Sequence, residues 1–76
     1  MKKTWTYQEI TESAIRLIRS SMQLSEKASA NGDTDLAGTF RQFAFGNWCC
    51  WNTLTSGWQE PGDCERLESM TKATHA

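Results

Sequence analysis

The sequence predicts an all-α fold: an antiparallel helical hairpin over about residues 7–30 and 34–58, followed by a short C-terminal helix over about 63–73. Three observations carry it. Apolar residues recur at helical spacing through both long segments. A helix-start signal precedes the first of them, and Asn31-Gly32 and Pro61-Gly62 break the periodicity where turns are required.

The first helix begins at Thr6-Tyr7-Gln8-Glu9, which fits a capping box: the Thr6 hydroxyl takes the amide of residue 9 and Glu9 reaches back to the amide of Thr6. Trp5 before the cap and Ile10 after it are spaced as a hydrophobic staple. Ile10, Ala14, Leu17, Ser21, Leu24 and Ala28 then recur at alternating spacings of four and three, a stripe expected to face another helix. Ile15, Ile18 and Met22 widen the apolar arc to about half the circumference, which implies a second contact. Asn31 and Gly32 tolerate the left-handed backbone that ends helices, and Asp33 is placed to cap the next one.

Along the second helix, Leu36, Phe40, Phe43, Ala44, Cys50, Trp51, Leu54 and Trp58 fall within about 80° of one line and are expected to form the core, with Ala14, Ser21 and Ala28 opposite as hollows. Asn47 lies inside that face and needs a hydrogen-bond partner if buried. Gly38, Gly46 and Gly57 suggest close backbone approach or a bend, with Gly57 the one expected to end the helix early. Pro61 cannot continue a helix, and Asp63 is expected to cap the third, whose stripe is Cys64, Leu67 and Met70 with a Glu68 to Lys72 pair.

A chain of 76 residues has room for a single domain, residues 1–76, and buries only about 60% of its unfolded surface. Scaffolds this small need a staple, dense apolar packing or a partner chain. Eight Lys and Arg against nine Asp and Glu give a net charge of -1, which argues against direct nucleic-acid binding. Lys2 and Lys3 are followed by polar residues rather than by an apolar signal segment, and no run of apolar residues is long enough for a bilayer. Three cysteines, two of them adjacent, suit a reducing interior, so a cytoplasmic setting and no membrane association are expected.

Chemistry is harder to build from these residues. Cys49, Cys50, Cys64 and His75 match no zinc-ligand spacing, and Cys50 is expected to be buried and inert. Glu9, Glu12, Glu26, Arg16, Arg19 and Lys27 read as a solvated face with pairs such as Glu12 to Arg16. No enzyme activity, cofactor or metal is expected. Phe45, Trp48 and Cys49 fall outside the predicted core beside Arg41 and Asn52 and call for cover by the third helix or another internal packing, by a different protein or by a second copy, since clustered exposed aromatics mark interfaces. These five residues are the expected partner-binding set.

The expected function is therefore stoichiometric association with a larger protein or protein complex, or a homodimeric four-helix bundle that closes the surplus apolar surface against a second copy. A helix-turn-helix nucleic-acid binder is disfavoured by the charge pattern. In size and in its lack of catalytic groups the chain resembles the small orphan proteins of phages and mobile elements, some of which, anti-CRISPR proteins among them, inhibit host defence. The resemblance is one of size and character, carried by no motif, and it implies inhibition by stoichiometric binding.

Overall fold

The computed structural model describes residues 5–72 and has three helices in that span: α1 over Tyr7–Ala30, α2 over Thr34–Leu54 and α3 over Asp63–Thr71. The two long helices pack as an antiparallel hairpin and α3 lies against both. No strand occurs among the described residues.

The start of α1 is set by the capping box. The Thr6 hydroxyl accepts from the Glu9 amide at 3.0 Å, and Glu9 Oε1 accepts from the Thr6 amide at 2.9 Å. At the far end Gly32 adopts φ 82°, which lets the Gly32 and Asp33 amides satisfy the Ser29 and Ala28 carbonyls. Asp33 then caps α2 by accepting from the Leu36 amide at 3.1 Å.

The second helix ends at Leu54, short of the expected 58. Thr55, fully buried, donates its hydroxyl to the Trp51 carbonyl at 2.7 Å, and Gly57 at φ 92° takes the chain out of helical geometry. Trp58 consequently lies beyond the helix, half-exposed, with its ring edge-on to Tyr7 at 5.5 Å, and is not a core residue. At α3 the expected cap is also corrected. Gly62 in left-handed conformation is the N-cap, and Asp63 is the first helical residue, its carboxylate free for other bonds.

The seam between α1 and α2 is built mostly from small and polar residues: Thr11, Ala14, Ser25 and Ala28 on α1, Ala37 and Ala44 on α2, with Ile18 and Met22 between them. Two hydrogen bonds cross it. Ser25 Oγ donates to the Ala37 carbonyl at 2.8 Å, and Trp51 Nε1 donates to Thr11 Oγ1 at 2.9 Å, so one register holds along the hairpin. Trp51, 1% exposed, and Leu67 from α3 complete the core with Ile18. Truncating a buried Trp of this kind costs about 3–5 kcal/mol. No buried side-chain polar atom among the described residues lacks a hydrogen-bond partner.

This seam is rotated from the expected stripe. Leu17 is 53% exposed and Leu24 is exposed too, while Ile18 and Met22 point inward. On α2, Phe43 is 54% exposed and Leu54 58%, and Leu36 is also exposed, so much of the expected aromatic core is surface. Small residues at the centre allow the helix backbones to approach closely, which leaves the larger side chains flanking the contact instead of filling it.

Candidate functional site

With Ile18 and Ala44 marking the middle of the seam, each long helix has two flanks at about 100° per residue. One pair of flanks is covered by α3 and the other is open.

On the covered side, Trp48 is half-buried against the core, and its Nε1 donates to the Cys64 carbonyl at 3.3 Å. Asn52 Oδ1 accepts from Gln59 Nε2 at 2.8 Å and from the Cys64 thiol at 3.7 Å. Helix α3 is also tied to the start of α1. The Tyr7 hydroxyl donates to Asp63 Oδ2 at 2.6 Å and accepts from the Glu60 amide at 3.1 Å. Loss of solvent and the neighbouring Asp63 carboxylate raise the Tyr7 phenol above its ordinary 10.0, against the opposing pull of the Glu60 amide and Thr11.

The five residues expected to bind a partner are thereby divided. Trp48 and Asn52 are held by α3 and the loop before it, and Cys49 is half-buried. Phe45 and Arg41 are exposed, Phe45 resting against Trp48 with ring centroids 5.6 Å apart. The structure brings Phe45, Trp48 and Asn52 to one side of α2, but presents mainly Phe45 and Arg41 to solvent.

The open side holds what the expected core did not absorb. Ile10, Leu17 and Leu24 of α1 and Leu36, Phe43 and Leu54 of α2 run along it, and neither helix places a Lys, Arg, Asp or Glu on this flank. At the end away from the Asn31-Gly32 turn lies a groove of about 340 Å³. Ile10, Ser13 and Leu17 form one wall, Asn47, Cys50 and Leu54 the other, and Ala14 and Trp51 also line it; Trp5 borders it beside its staple partner Ile10. Toward the turn end the same face carries Phe40 and Phe43, in edge-to-face contact at 5.9 Å. Asn47 stands on the groove wall one turn beyond Phe43. Its Nδ2 donates to the Phe43 carbonyl at 2.9 Å, and it is half-buried, not a core residue.

Cys50 is a further correction: it is exposed on the groove wall rather than buried. All three cysteines are free thiols. Among the described residues no three or more His, Cys, Asp or Glu converge as metal ligands; His75 lies outside those residues. The expected Glu12 to Arg16 pair is replaced by local bonds, Glu12 accepting from Gln8 at 3.1 Å and Arg16 donating to Ser13 at 3.2 Å. The Glu68 to Lys72 pair is present at 3.3 Å. No described helix is long and apolar enough to cross a membrane.

The open face is legible in the sequence in one signal. Its positions, read as interior, contain no charge from Ile10 to Leu24 and from Leu36 to Leu54. No protein-family model, curated protein or solved structure matches the chain.

Proposed function

We propose that the protein is a non-catalytic binding module that acts by stoichiometric protein–protein association through the open face of its hairpin. One observation carries this reading: a face uncharged along both long helices leaves Leu17, Phe43 and Leu54 more than half exposed. Contiguous apolar surface of several hundred Å² on a small protein marks an interaction site, and its burial is the driving force for association. Phe45 and Arg41, on the other side of α2, offer a smaller exposed contact, while Trp48 and Asn52 serve mainly to seat α3 and Cys49 is half-buried.

Affinity capture with the tagged chain tests the reading. The wild type and Phe45→Ala should retain the same protein partner. Phe43→Asp should weaken retention by about thirtyfold or more, since a charge is placed in a desolvated apolar contact. Circular dichroism of each variant controls for folding. Retention of the partner by Phe43→Asp at wild-type strength would overturn the assignment to this face.

A further inference from the structure

Resting on that reading of the open face, we infer that its occupant is a second copy of this chain, joined about a two-fold axis into a four-helix bundle. Three properties of the face select a copy. First, it is uncharged, so two copies meet without like-charge repulsion, and a partner must be equally uncharged to avoid burying unpaired ions.

Second, its size suits a stable dimer. Helices of 24 and 21 residues at about 1.5 Å per residue run roughly 32–36 Å, and two helices side by side span about 20 Å. The face is then about 700 Å², close to the roughly 800 Å² per partner of a standard interface.

Third, the groove lies at one end of the face and the exposed Phe43, with Phe40 against it, at the other, an arrangement that a two-fold axis brings together. A rotation about the middle of the face carries the Phe40 and Phe43 pair of one copy over the groove of the other. The groove holds about 340 Å³, and a cavity of about 150 Å³ accepts one benzene, so it has room for both rings. The axis passes near Asn47, on the groove wall one turn beyond Phe43. Its Nδ2 is used within its own helix, and among the described residues nothing donates to its Oδ1, which is available to the Asn47 amide of the partner subunit. A lone Asn in a helical interface fixes register in this manner. Phe45 and Arg41 of each copy stay outside the bundle.

Sedimentation equilibrium of the full chain at micromolar concentrations, together with fluorescence of an environment-sensitive apolar dye, tests the inference. The expected result is a mass near twice 8.6 kDa, with Phe43→Asp and Leu17→Glu each monomeric and Phe45→Asp still dimeric. Each copy contributes one Phe43, so a tenfold loss per site weakens the Phe43→Asp dimer by about a hundredfold. Both exposed positions leave the core intact, and circular dichroism checks this in each variant. A monomeric wild type that binds the dye, with binding lost in Phe43→Asp, would overturn the second copy as occupant and leave the face a docking surface for another protein. A monomer that binds no dye would overturn the docking surface as well. A dimer broken by Phe45→Asp and not by Phe43→Asp would place the contact on the wrong side of α2.

Discussion

Among single residues, Tyr7 does the most to join distant parts of the chain. Its hydroxyl takes Asp63 and the Glu60 amide at once, 56 and 53 residues away, and its ring lies against Trp51 and Trp58. The raised phenol sets the sign of a pH dependence. The folded state holds the Tyr7 proton more tightly than the unfolded chain does, so the contribution is complete below about pH 10 and is lost as pH rises through the raised value. The urea midpoint should therefore fall in alkaline solution. Tyr7→Phe should lose about 1–3 kcal/mol near neutral pH, as expected for a hydrogen bond to a carboxylate, and should show a shallower alkaline fall. An unchanged alkaline limb in Tyr7→Phe would assign the fall to other groups.

At the level of elements, the helices differ in what holds their ends and in how readily the sequence announces them. The starts of α1 and α2, the Asn31-Gly32 turn and the break at Pro61 were legible because each rests on local chemistry: a hydroxyl or carboxylate within three residues of an amide, or a backbone only glycine adopts easily. The rotation of the hairpin seam was not legible. An apolar arc of half a circumference on α1 leaves its centre undetermined, and that centre is set by how closely Ala14 and Ala28 can approach Ala37 and Ala44 across the chain. The exposure of the expected binding set was partly legible for the same reason. Phe45 and Arg41 are exposed as expected, but the capture of Trp48 by α3 depends on a tertiary contact with Cys64. The glycines separate the two kinds of information. Gly46 is helical and a Cβ there would meet nothing within 4 Å, so no close approach requires it, and the same holds for Gly38. Gly46→Ala should stabilise by about 0.5–1 kcal/mol, a rise in melting temperature of roughly 2–8 °C. Gly57, at φ 92°, has equal space but the wrong backbone for an L side chain, and Gly57→Ala should lose about 1–2 kcal/mol. Thermal melts of the two variants should move in opposite directions.

Over the whole molecule, charge is segregated as well as balanced. With a net charge of -1, the acidic and basic side chains of the two long helices lie away from the open face. Association through that face should therefore be nearly insensitive to sodium chloride, because no exposed ion pair is made or screened, and should strengthen in sulfate, which favours apolar burial. Sedimentation across a salt series checks this. A steep weakening with sodium chloride would mean that Arg41 or the charged side of α1 makes the contact instead.

The antiparallel register of the hairpin also orders the events of folding. The Ser25 to Ala37 bond closes a loop of 12 residues, Thr11 to Trp51 one of 40, and Tyr7 to Asp63 one of 56. Closing the 40-residue loop directly costs about 1 kcal/mol more in chain entropy than closing the 12-residue one. Zippering outward from the turn avoids that cost, because each contact made shortens the next loop. The chain is thus expected to nucleate at Asn31-Gly32, to enclose Trp51 later and to fasten α3 last. Opening runs in reverse order, so backbone amides of α3 and of the first turns of α1 should exchange with solvent well before those around Ser25 and Ala37.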